Sequence, residues 1–122
     1  MERIEEFTRE GKNFFYFDLS HFKSNEEFLK VIEESKPLIS KHAESSLYTI
    51  TNIEGVRYDT TTKKVVAEWM KHNKPYVKFG ACIGVDGIKR IMINSIFALS
   101  GRKNMSTAST KEAAVEWLLQ QG

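Results

Sequence analysis

The chain has 122 residues, a formal net charge of +2, 41% apolar and 28% charged residues and one cysteine, Cys82. That is the size and composition of one ordinary globular domain with a single core. It excludes an internal disulfide, and the small charge gives no footprint for nucleic acid, although Lys63, Lys64, Lys71, Lys74, Lys78, Lys89, Arg90, Arg102 and Lys103 make the second half visibly basic.

The start, MERIEE, is acidic and lacks the apolar stretch of a signal peptide, so a cytoplasmic protein is expected. Arg3 to Thr8 reads as a short strand, and Glu10-Gly11-Lys12-Asn13 as a turn into Phe14-Phe15-Tyr16-Phe17-Asp18, a hairpin. The second strand is almost wholly apolar, as in a central strand covered on both faces. Ser24 followed by Glu27 reads as a capping box before a helix with Phe28, Val31, Ile32, Ser35 and Ile39 on one face, and Pro37 predicts a kink or an end near Lys36.

Leu47 to Asn52 is a β-rich run, after which Thr62, Val65, Val66, Trp69 and Asn73 mark a helix face that ends at Asn73-Lys74-Pro75. Tyr76 to Ile83 is a third apolar strand, containing Cys82 as a buried structural thiol. Through Gly84-Val85-Asp86-Gly87 it leads into a helix carrying Ile88, Ile91, Met92, Ser95, Ile96 and Leu99 and closed by Gly101. Lys103 to Ala108 is a weak edge strand, and Ser109 with Glu112 reads as a capping box for a last helix with Ala113, Ala114, Trp117 and Leu118. The order β-β-α-β-α-β-α-β-α predicts an α/β fold, a mostly parallel sheet of four to five strands with about four helices in one domain, 1–122.

The longest nearly apolar run, Ile91 to Leu99, is about half the ~20 residues of a membrane span, so no transmembrane helix is expected. His21, His42 and His72 show no ligand spacing with one another or with Cys82, so no metal and no cofactor are expected. The apolar residues Ile88, Ile91, Met92, Ile93, Ile96, Phe97 and Leu99 leave their helix almost no polar face. Deeper burial, a weak homodimer contact and an apolar ligand pocket are the three readings of that composition.

Open parallel sheets gather ligands beyond the carboxyl ends of their strands, where helix starts carry unpaired amides. Three loops answer that description: Asp18-Leu19-Ser20-His21, Asn52 to Thr62, and Gly84 to Gly87 with Lys89 and Arg90. In the second, one hydroxyl or carboxylate caps a helix, yet Asp59, Thr60, Thr61 and Thr62 offer four, and Lys63 and Lys64 then oppose the helix dipole unless an anion or an acidic partner meets them. Gly84 and Gly87 serve either tight backbone packing or a phosphate, with Lys89 and Arg90 as anion contacts. Asp18, Ser20 and His21 are the right types for a triad but are local in sequence, and the expectation is a protein without catalytic activity.

The stretch from Gly55-Val56 to Asp59-Thr60-Thr61 at a helix start resembles the Asp-Ser-Ser/Thr signature of STAS domains, the anti-sigma factor antagonist family, and the element order is similar over most of the chain. Glu112-Ala113 with Trp117-Leu118 resembles the last helix of the sporulation protein AA-like branch. The resemblance implies a regulatory module with a protein partner, kinase-like or another regulator, in which Asp59 is the family acid, Thr61 the phosphoacceptor and Thr60 the preceding hydroxyl. Thr62 stands where a glycine usually follows, and Asn52 where the incoming loop is often acidic. The alternative is a small carrier for an apolar or anionic ligand, a lipid or a nucleotide, at the strand carboxyl ends.

Overall fold

The computed structural model describes residues 3–56, 59–101 and 103–121, less the side chains of Ile88, Lys89 and Met92. Strands β1 (Ile4–Arg9) and β2 (Lys12–Asp18) form an antiparallel hairpin, followed by α1 (Asn25–Ser40), β3 (Leu47–Asn52), α2 (Thr60–Asn73), β4 (Val77–Ile83), α3 (Gly87–Ser100), β5 (Met105–Thr107) and α4 (Lys111–Leu119). The hairpin turn is two residues, Glu10 and Gly11, both with positive φ, the geometry whose twist matches the flanking strands. The sheet order is sequential, β1-β2-β3-β4-β5, with every pair after the hairpin parallel. The expected α/β class, element order and mostly parallel sheet are all present.

Sequential parallel order has a consequence for the layers. Right-handed crossovers made always in the same direction return every connecting helix to one face of the sheet. Phe15 and Phe17 of β2 accordingly pack with Phe28, Val31, Ile32 and Ile39 of α1, Val66 and Trp69 of α2, and Ile93 and Ile96 of α3. Among the described residues α4, which follows the last strand, is the one helix on the other face, where Ala114, Val115 and Leu118 meet Phe14, Tyr48, Ile50, Ala81 and Ile83. The alternation within β2 thus sends its aromatic residues into two separate apolar layers.

In β4 the register shifts between Leu47 and Tyr48, which pair with Val77 and Phe79, so Lys78 is the inserted residue. The side-chain amide of Asn104 donates to the carbonyls of Val77 and Lys78, at 3.1 and 2.6 Å, and pins the bulge to the β5 edge. At Gly80 a Cβ would fall 2.5 Å from Met105 Sδ and 2.7 Å from Thr49 Oγ1, so any larger residue would have to displace those side chains.

Of the two outcomes expected at Pro37, an end near Lys36 is not found: Pro37 lies inside α1, in its last turn on the exposed side, where the carbonyl left without a donor can turn to water, and fully buried Ile39 follows. The cap of α4 is Thr110, whose Oγ1 accepts from Ala113 N at 3.0 Å, in place of Ser109. Glu112 then sits one position too early to complete a capping box and lies 3.5 Å from Arg9 instead. Among the described residues no helix is long and apolar enough to cross a membrane.

Candidate functional site

Beyond the carboxyl ends of β2, β3 and β4 the loops continue the ladder rather than splaying apart. Leu19 N donates to Asn52 O at 2.9 Å, His21 N to Glu54 O at 3.1 Å, and Ile53 N to Ile83 O at 3.0 Å. Two glycines make this approach sterically allowed. A Cβ on Gly55, φ +73°, would fall 2.5 Å from the His21 ring, and one on Gly84, φ +79°, would fall 2.5 Å from Glu54 N and 2.9 Å from Asn52 Oδ1. Gly84 is therefore accounted for by loop packing. Gly87, the first residue of α3, faces open space. Arg90 is exposed on the first turn of α3, and the Lys89 side chain lies outside the described residues.

The start of α2 separates the four candidate polar residues into distinct roles. Asp59 is the N-cap, its Oδ1 accepting from Thr62 N at 2.7 Å. Thr60 and Thr61 are exposed in the first turn, whereas Thr62 is 5% exposed and faces inward. Lys63 is half-buried and Lys64 exposed. The threonine run thus contains one core-facing residue and two surface hydroxyls that the cap does not use.

Asp18, Ser20 and His21 do not form a triad. Ser20 donates from both its amide, at 3.0 Å, and its hydroxyl to Asp18 Oδ1. Arg3 holds this turn from the hairpin, 3.5 Å from Asp18 Oδ1 and donating to Ser20 O at 2.6 Å. The His21 ring turns outward, 3.0 Å from Glu54 Oε2 in an exposed pair, and makes no contact with the Ser20 hydroxyl. Among the described residues no three His, Cys, Asp or Glu side chains are grouped to hold a metal.

Between the starts of α1 and α2 lies an open cleft of about 220 Å³, lined by Leu19, Phe22, Lys23, Ser24, Asn25, Phe28, Gly55, Val56 and Thr62. Phe22 and Phe28 make its aromatic wall, their centroids 5.9 Å apart, and the Arg3 guanidinium covers the Phe22 ring at 4.1 Å. Sequence reasoning placed the loops at this edge but not the cleft, because its lining comes from separate segments that only the β2–β3 pairing brings together. The one available signal was Thr62, which shares the apolar face of α2 although it follows two surface threonines. No family model matches the chain, and no curated protein matches it.

Proposed function

We propose that this chain is a protein-interaction module without catalytic activity, of the kind the anti-sigma factor antagonists represent, with its recognition edge at the start of α2. The observation that carries the reading is the division of labour in the threonine run. Asp59 supplies the cap and Thr62 is buried, so the exposed Thr60 and Thr61 have no structural task left. Lys63 and Lys64 follow on the same turn and suit an acidic partner surface. Thr61 is the phosphoacceptor in this reading. A phosphate there is favoured by the helix dipole, so it leaves the fold intact while repelling an acidic partner.

The test places a photo-crosslinking residue at position 61 and, separately, at Glu116 on the exposed side of α4. A protein captured from position 61 but not from 116, and lost when Thr60 or Lys64 is replaced by Glu, is the expected result. Equal capture from both positions overturns the assignment of the edge. The second reading, a carrier for a small ligand, is favoured by the cleft beside this edge.

A further inference from the structure

The polar groups around the cleft between α1 and α2 are unequal in what they have left to offer. Ser24 Oγ accepts from Glu27 N at 3.3 Å and the Asp59 carboxylate from Thr62 N at 2.7 Å, so each capping side chain is turned to its own helix. Donors remain beside them. The first amides of a helix have no carbonyl four residues back, and the amides of Asn25 and Glu26 have no acceptor among the described residues. Lys23, which carries the one ammonium among the lining residues, is exposed at the cleft. Thr62 is the telling residue: it lines the cleft, it is 5% exposed, and its hydroxyl has no hydrogen-bond partner among the described residues. That hydroxyl is free to donate to whatever occupies the adjoining space.

Beside these polar residues the lining carries Gly55 and the apolar Leu19, Phe22, Phe28 and Val56. At about 220 Å³ the space lies below the ~300 to 1,000 Å³ of sites for drug-sized ligands and suits a small body. A single lysine in the lining, with Glu26 and Glu27 exposed on the same helix turn, matches one negative charge better than two. We infer that this cleft is a binding site for a small monocarboxylate with an apolar body of about phenyl size, the carboxylate accepting from Lys23, Thr62 and the first amides of α1, and the body lying against Phe22 and Phe28. The site stands independently of the interaction reading of α2.

The experiment is an amide NMR titration of the intact chain at neutral pH with phenylacetate, its neutral amide phenylacetamide, and acetate. Phenylacetate is expected to give saturable shifts at Lys23, Asn25, Gly55 and Thr62, with phenylacetamide and acetate each binding about tenfold more weakly or worse, because one lacks the charge and the other the body. Lys23→Gln, an exposed loop change that leaves the fold alone, and Thr62→Val are each expected to weaken phenylacetate by about fivefold or more. Absence of saturable shifts with phenylacetate overturns the proposal. So does phenylacetamide or acetate binding as tightly as phenylacetate, or an unchanged affinity in Lys23→Gln.

Discussion

Residues that look equivalent in the chain take opposite parts at the sheet's carboxyl edge. Gly84 and Gly87 bracket one turn, yet Gly84 has φ +79° with Glu54 and Asn52 against the place a Cβ would occupy, whereas Gly87 has open space around it. Gly84→Ala should lose about 1 to 3 kcal/mol in urea unfolding. Gly87→Ala should be neutral or stabilising by up to about 1 kcal/mol, since alanine is the better helix former. Similar losses at both positions would mean that the turn is strained throughout. The same contrast holds across the threonine run. Asp59→Ala removes the cap and should cost about 1 kcal/mol, whereas Thr60→Ala and Thr61→Ala should stay within about 0.5 kcal/mol. A cap energy found at Thr60 instead would move the helix start and take away the surface hydroxyls on which the interaction reading depends.

At the scale of elements, α1 and α2 are joined by a buried polar contact that the apolar pattern does not announce. Trp69 Nε1 donates to Ser35 Oγ at 2.8 Å, and Ser35 Oγ donates to Ile32 O at 2.7 Å, with Ser35 fully buried. Ser35→Ala leaves the indole N–H without an acceptor and should cost about 1 to 3 kcal/mol, measurable as a lower urea midpoint at unchanged slope. Helix α3 makes the complementary point. Ile93 is 2% exposed and Ile91 is 74% exposed, two residues apart on a helix whose composition is apolar nearly all round. Ile93→Ala should cost about 2 to 5 kcal/mol, and Ile91→Ala less than about 0.5 kcal/mol. Periodicity failed there because it needs a polar face to contrast with an apolar one. It succeeded for α1, where Phe28, Val31, Ile32, Ser35 and Ile39, the face read from spacing, are the buried residues. The caps were legible to within one residue, since Ser109 and Thr110 are chemically alike and only the hydrogen bond to Ala113 N decides between them.

For the whole molecule, strand order and the side taken by α4 were beyond the reach of local pattern, because they are settled by packing between segments far apart in the chain. The cleft is of the same kind: Phe22 and Val56 are ordinary loop apolar residues until β2 and β3 pair. The two-faced sheet also decides how the single cysteine should behave. Cys82 is 4% exposed on the three-helix side, against a void of about 20 Å³ bounded by Thr49, Thr51 and Asn73 as well as Trp69, Met70, Ile93 and Met105. A void that size holds at most one water, so a bulky thiol reagent is expected to reach the sulfur when α2 and α3 lift from the sheet. If those helices separate only with the whole core, the reaction rate with an aromatic disulfide reagent should follow the global unfolding equilibrium. Ser35→Ala should then accelerate labelling by about tenfold for each 1.4 kcal/mol it removes, and Ile91→Ala should not change it. If both variants label at the wild-type rate, Cys82 is exposed by a local opening of α3 at the edge of the helical layer, and the three helices do not form one cooperative unit with the sheet.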